Sequence, residues 1–297
     1  MPCGPATVST TSEAPAVICL LGTSRSGSTL LQRALELHSE AIALGEMLRV
    51  NRLAAEGRLC SCGSEIAVCS FWAPVLAHLD GADPPPAWGQ ASAWDRLNFM
   101  RTVAAVVTGI SALAAGSERR AAGSLARALT AFRGGARSSV FIESSKDPTQ
   151  FLRLALGGTR RLVPVHVVRD PRGVAWSAFK RTVAEPETMA KHWLRLNALI
   201  SWLRWATPQF PWQVVRYEDF CRNPAQAAER ILAAAGVAPV RSLQPKPSHA
   251  VGGSPGFALE TLDSVDLDER WRIEMPEQMQ QTVMATVGSS ASRLGYS

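Results

Sequence analysis

Ala16-Val-Ile-Cys-Leu-Leu-Gly22 is a continuous apolar run ending in glycine, and it limits the fold more than any other feature of the chain. A strand with apolar side chains on both faces cannot lie at a solvated surface. It needs a layer on either side, the situation of a central strand in a parallel sheet. Residues 23–29 then form a Gly/Ser-rich turn, after which Leu30, Leu31, Ala34, Leu35 and Leu37 recur at helical spacing up to about His38. The unit reads strand, tight loop, helix.

Three further strands are expected at Val140–Ile142, Leu162–Val168 and Trp212–Tyr217, each followed by a helical pattern. Those helices are expected to begin near Pro148, Pro171 and Pro224, where proline's missing N–H costs no intrahelical bond. The alternation predicts an α/β protein: a three-layer α/β/α arrangement on a central parallel sheet, with ligands at the carboxyl ends of the strands. Residues 50–138 differ in character, with a cysteine cluster, Asp83-Pro-Pro-Pro86 and Ala-rich helical stretches near 93–115 and 119–132. They read as a helical insertion capping the sheet. Residues 244–257, with three prolines and three glycines, read as a long functional loop. The expected organisation is a loose tail over 1–15 and one domain over 16–297 carrying the insertion. At roughly 150 residues per domain, 297 residues would also accommodate two.

Composition narrows the function classes. Hydrophobic residues are 46% and charged residues 19% of the chain, which excludes a disordered protein. The net charge of +6 comes almost wholly from arginine, only four of the 31 basic residues being lysine. No basic run or stripe occurs, so the surplus points to a small anionic ligand and not to nucleic acid. The longest uncharged stretch, 102–117, is too short to span a bilayer, and the amino terminus has no signal-like pattern. A cytoplasmic protein without a membrane span is expected, its six cysteines reduced.

Gly22-Thr-Ser-Arg-Ser-Gly27-Ser28-Thr29 fits the nucleotide-binding loop pattern G-x-x-x-x-G-K-[ST] except that Ser28 replaces the lysine. That lysine and Mg²⁺ normally hold the β- and γ-phosphates. Here the cation is Arg25, between the glycines. The backbone N–H cradle survives, so the loop still suits an anion, one without a γ-phosphate. A second constellation, Arg169-Asp-Pro-Arg172 with Ser177, ends the Leu162 strand and opens the following helix, again at a carboxyl end. Its competing reading is a structural Arg169–Asp170 ion pair.

Together these motifs resemble the sulfotransferases that use 3′-phosphoadenosine 5′-phosphosulfate. Their first motif, a basic residue then S-G-[ST]-[ST] and an apolar residue, is matched by Arg25-Ser26-Gly27-Ser28-Thr29-Leu30. Their second, R-[DN]-P-R with a serine eight residues on, is matched by Arg169 to Arg172 and Ser177. Ser144-Ser-Lys146-Asp147-Pro148, Tyr217-Glu-Asp-Phe220 and Leu294-Gly-Tyr296 look like bacterial members and their tyrosylprotein-modifying relatives. The resemblance implies that Thr23, Ser24, Arg25, Ser26, Gly27, Ser28 and Thr29 bind the 5′-phosphosulfate. It implies that Arg169, Arg172 and Ser177 bind the 3′-phosphate, and that Tyr217 contacts adenine or phosphate. Where relatives carry H-x-x-x-G-N-P-x-R, this chain has His249-Ala-Val-Gly-Gly253-Ser254-Pro-Gly-Phe257. The arginine is absent, and only Gly253 and Ser254 carry over.

Sulfuryl transfer needs positioning, a proton acceptor and cations near the oxygen that becomes charged, and no metal in principle. The resemblance implies Arg25 and Lys146 as the cations and Glu46 as the base. A glutamate in that role would need its pKa raised by burial, and an Arg49 ion pair is its competing reading. His249 is a reserve base, while His166, alternating within an apolar strand, reads as a core histidine. Cys60, Cys62 and Cys69 fall one ligand short of a zinc site unless His78 or a distant cysteine completes it. Free thiols and no metal are expected.

Two other functions fit the loop: a P-loop kinase or nucleoside triphosphatase, if Arg25 substitutes for the lysine, and a non-catalytic adenosine bisphosphate binder. The acceptor is read as a small-molecule, sugar or lipid hydroxyl, or an amine. Trp72, Trp88 and Trp94 of the insertion suggest an apolar wall for it.

Overall fold

The computed structural model describes residues 15–79, 92–132, 140–182, 184–238, 248–253 and 261–297. The expected tail, Trp88 and Ser254 lie outside the described residues. Five strands, β1 (Ala16–Leu21), β2 (Ala41–Gly45), β3 (Val140–Lys146), β4 (Leu162–Val168) and β5 (Gln213–Arg216), pair in parallel throughout in the order β2-β3-β1-β4-β5. Every residue of β1 is buried, which is why its apolar run needs no polar face. Alternation then assigns its side chains to two cores. Val17, Cys19 and Leu21 enter one, Ala16, Ile18 and Leu20 the other.

The first core is closed by the helices Pro148–Leu156 and Pro186–Ala206 and by the insertion helices Ala93–Thr108 and Gly116–Ala131, through Phe151, Ile200, Val103 and Leu125 among others. The second is closed by the helices Ser28–Glu36 and Pro224–Ala234. The central parallel sheet with helices on both faces is therefore present as the sequence indicates. Proline occupies the first turn of the helices beginning at Pro148, Pro171 and Pro224. Several elements have no counterpart in the sequence reading, among them β2, the 21-residue helix from Pro186 to Ala206 and the helix Glu277–Val287.

The order places β1 between β3 and β4, with the chain leaving β1 toward one side and later returning on the other. This switch point opens a crevice at the carboxyl ends of β1 and β4. On the other side of β1, the register slips in β3, where Cys19 pairs with Glu143 but Leu21 with Lys146. The extra residue is a β-bulge, and it leaves Lys146 at a φ of 66°.

Glu143, buried in the middle of β3, accepts hydrogen bonds from the Ser145 backbone N–H and hydroxyl and lies 3.5 Å from the Cys19 thiol. Burial raises its pKa to about 7, against the lowering effect of the Ser145 hydrogen bonds and Lys146. Folding therefore holds a proton that the unfolded chain releases near 4.5. Stability contributed by the protonated group is full below that pH and is lost as pH rises to about 7, on the order of 3 kcal/mol. Glu143→Gln should flatten this part of the stability curve, as read by urea unfolding at pH 5 and pH 8. An unchanged slope would show that Glu143 is ionised in the fold.

Candidate functional site

The loop after β1 has a shape that its residues dictate. At Gly27 φ is +89°, and a Cβ there would lie 2.4 Å from the Tyr217 ring, so only glycine allows the ring to close on the loop. No side chain caps the helix that starts at Ser28. Its first-turn N–H groups, which no helix can satisfy internally, are left for an anion. Thr23 and Ser26 are buried beneath the loop, and the Ser26 hydroxyl has no hydrogen-bond partner among the described residues.

This loop floors a cavity of about 800 Å³ whose walls come from residues at or just beyond the carboxyl ends of all five strands. Ser24, Arg25, Gly27, Ser28 and Thr29 line it, as do Glu46, Lys146, Arg169, Ser177, Tyr217 and Gly253. These residues come from motifs up to 229 positions apart in sequence. Among the described residues six cations face the space: Arg25, Arg49, Arg58, Lys146, Arg169 and Arg181. Four carboxylates, Glu46, Glu56, Asp266 and Asp268, oppose them, leaving a positive excess where an anion would sit.

Arg169 stacks over Tyr217, 4.3 Å from the ring centre, and donates to the carbonyls of Arg25 and Asp268. It thus ties the loop after β1 to Asp268. The Tyr217 hydroxyl accepts from the Asp268 N–H at 3.0 Å, so the ring supports the wall with its polar end satisfied. Ser177 and Arg181 lie one helical turn apart on Pro171–Thr182, and both face the cavity. Arg181 was legible in the sequence as the i+4 neighbour of Ser177, but the motif stops short of it.

Arg172 is engaged elsewhere. Its guanidinium clasps Asp170 at 2.8 Å and 3.0 Å, donates to the Ser297 carbonyl at 2.7 Å and stacks on Trp271. It does not line the cavity. The structural ion pair suspected for Arg169 and Asp170 is instead formed by Arg172 and Asp170. Of the two histidines, His166 is a core residue bonded to Asn197 at 2.8 Å, its pKa lowered by burial to about 4. His249 turns to the cysteines, with its ring stacked on Phe71 and its Nδ1 3.5 Å from the Cys69 sulfur.

Glu46 follows β2 and carries both of the interactions weighed from sequence. Lys146 binds one carboxylate oxygen at 2.8 Å and Arg49 the other at 3.0 Å. Burial pushes this carboxyl up, but the two cations, Lys146 foremost, more than offset it, and the pKa lies below the ordinary glutamate value. The upward shift that a base was expected to need is thus reversed in the free protein. The late loop approaches from behind, since Val251 pairs with Gly45 and a Cβ on Gly252 would lie 3.1 Å from the Glu46 side chain.

Of the three tryptophans expected to form an apolar wall, two lie among the described residues. Trp72 is fully buried in the core and Trp94 is exposed to solvent, and neither lines the cavity. On that side the cavity meets Arg49, Leu53, Glu56 and Arg58, three charged groups around one leucine.

No protein-family model matches the chain. A curated relative, carbohydrate sulfotransferase 3 of Homo sapiens, is 26% identical over 158 residues, covering 44% of this chain and 33% of that protein. The chain thus spans about a third of the length of the curated relative it matches. The sulfotransferase domain of the Synechococcus PCC 7002 olefin synthase superposes with a TM-score of 0.55 at 20% identity, covering 95% of both chains. This is the sulfotransferase fold. A sulfotransferase domain from the curacin biosynthetic pathway gives a TM-score of 0.51 at 16% identity over 96% of this chain and 99% of that one. Both superpositions cover nearly the whole chain. No helix among the described residues is long and apolar enough to cross a membrane.

The Glu46 electrostatics can be tested without substrate. Lys146→Met removes the main cation holding the carboxyl down and leaves burial to dominate, so the Glu46 pKa should rise above its value in the parent. Carboxyl NMR titration reads this directly. Identical titration in both proteins would mean that the ion pair does not form.

Proposed function

We propose that this chain is a sulfotransferase that moves a sulfuryl group from 3′-phosphoadenosine 5′-phosphosulfate to a hydroxyl of a polar, sugar-like acceptor. The observation that carries the reading is the cation-rich cavity over an uncapped helix N-terminus, built on a phosphate loop with Ser28 in the lysine position. A triphosphate-using enzyme would need a cation where Ser28 is buried. The sulfotransferase fold of the solved domains agrees with this reading.

In this proposal the donor lies along β1 and β4, with the loop N–H groups and Arg25 on its phosphosulfate and with Ser177, Arg169 and Arg181 about the 3′-phosphate. Ser24, Ser28 and Thr29 add hydroxyls, and Tyr217 and Gly253 complete the walls. Arg172 acts on none of them and positions Asp170 and the chain end. The acceptor enters beside Glu46, Arg49, Glu56 and Arg58, whose charges suit a polar compound and oppose a lipid chain.

As the acceptor oxygen bonds to sulfur, Glu46 takes its proton while the bond from sulfur to the phosphate oxygen breaks. Negative charge then grows on that oxygen, where Arg25 and Lys146 act. A carboxylate held by two cations is a weak base, but a bound anionic donor shares those cations and raises the Glu46 pKa. The acidic limb of kcat should therefore lie above that of kcat/KM, which reports the free enzyme and falls below the ordinary glutamate value of 4.5.

Two variant sets test this reading. Arg169→Ala should weaken adenosine 3′,5′-bisphosphate binding by about 1.5–3 kcal/mol by calorimetry, as for a lost charged hydrogen bond, while Arg172→Ala changes it little. Equal losses in both, or preference of the parent protein for ATP, would overturn the donor assignment. Glu46→Gln should lower turnover about 10²–10⁴-fold and abolish the acidic limb, with bisphosphate affinity retained. Sulfate transfer surviving within a few-fold would remove Glu46 from the base role.

A further inference from the structure

Three cysteines of the insertion and the histidine of the late loop meet at one point. The Cys62 and Cys69 sulfurs are 3.6 Å apart, and His249 Nδ1 lies 3.5 Å from Cys69 and 3.8 Å from Cys60. All four donor atoms fall within 4.8 Å of one another. A tetrahedral zinc ion, with Zn–S near 2.3 Å and Zn–N near 2.0–2.1 Å, places its sulfurs about 3.8 Å apart and sulfur and nitrogen about 3.5 Å apart. The spacings of 3.5, 3.6 and 3.8 Å are those of such a coordination shell.

We propose that Cys60, Cys62, Cys69 and His249 form a structural zinc site that fastens the late loop to the insertion. Four protein ligands of the Cys₃His type close the tetrahedron and leave no position for substrate, the mark of a structural site. The ligands stand on a supported frame. Cys60 and Cys62 sit on a tight turn that closes with Gly63 at a φ of +90°, where the Gly63 N–H donates to the Cys60 carbonyl and the Cys60 N–H to that of Ser64. The Cys69 carbonyl accepts from the N–H groups of Trp72 and Ala73. His249 is held by its stacking on Phe71 and by the Trp72 indole, which donates to its carbonyl at 2.7 Å. Cys62 is exposed and gives the ion a way in, while Cys60 and Cys69 are buried.

The consequence for the cavity follows from chain connectivity. His249 is two residues from Val251, whose carbonyl accepts from the Glu46 N–H at 2.7 Å, and four from Gly253 in the cavity wall. Ser61 reinforces the junction by donating to the Ala250 carbonyl at 2.7 Å. An ion on these ligands would fix a loop that is 180 residues from Cys69 in sequence, so much of its stabilisation would come from closing that long loop. The site stands independently of what the cavity binds.

Metal analysis of the full chain, purified under reducing conditions from zinc-supplemented cells, should find one zinc per chain. Cobalt exchanged into the same protein should give thiolate charge-transfer and tetrahedral visible bands. His249→Ala and Cys62→Ser should each lose the metal, Cys62→Ser being chosen because an exposed position endangers folding least, and chelation should lower the Tm of the parent alone. A reduced parent protein with neither zinc nor a cobalt spectrum would overturn the proposal. So would a Cys62–Cys69 disulfide in place of metal, or both variants keeping a full equivalent.

Discussion

Parallel pairing on both sides of β1 is the constraint on which the rest of the molecule depends. Because β3 and β4 both run alongside β1, the chain reverses its direction of build at that strand, and the loops after β1, β3 and β4 open toward one crevice. Each loop arrives with its polar residues where a strand has just ended and backbone donors are free. The apolar character of β1 is what permits this: a strand with one polar face would demand solvent on that side and lose a layer. A ligand cavity and a fully buried strand are thus two consequences of the same sequence run.

Within the crevice the chain handles its charges by leaning them on one another. Arg169 is held by an aromatic face and by main-chain carbonyls. Lys146 and Arg49 sit on the Glu46 carboxylate. Burial favours a neutral Glu46, and these two cations outweigh it. An anion entering here competes with a carboxylate already present, so binding and the readiness of that carboxylate to accept a proton are coupled through shared cations. The β3 bulge is part of this arrangement. It brings Lys146, at positive φ, opposite Leu21 and beside the end of β2.

What could be read from sequence was local. β1, the loop after it and the Leu162 strand announce themselves through contiguous residues, and proline marks the helix starts at Pro148, Pro171 and Pro224. β2 gave no such signal: Ala41–Gly45 is five residues long, holds one β-branched residue and lies at the sheet edge. Its partner β3 is about a hundred residues away, across the insertion. Arg172 shows that a motif fixes spacing and not direction. Its side chain leaves the helix start toward Asp170 and the carboxyl terminus, whereas Arg169 turns inward. His249 could not be matched with three cysteines 180 or more residues earlier, because only the fold brings the late loop against the insertion.

The arginine bias of the composition has a physical reason in this geometry. An ammonium offers a compact charge that is strongly hydrated, and burying one in a crevice among other cations would favour its neutral form. A guanidinium stays charged, stacks on rings and donates in several directions at once. Arg169 does all of these, bridging a tyrosine, two carbonyls and Asp268. Arg25 tests that tolerance: burial and the nearby Arg181 both lower its pKa while Glu46 opposes them, and the high ordinary value of a guanidinium leaves more room for such a shift than an ammonium has. Lys146 is the lysine among the described cavity cations, and it reaches the Glu46 carboxylate across 100 residues of sequence, as Arg169 reaches Asp268 across 99. Among the described residues the crevice thus sets this lysine against a carboxylate, and gives the contacts that need several donors at once to an arginine.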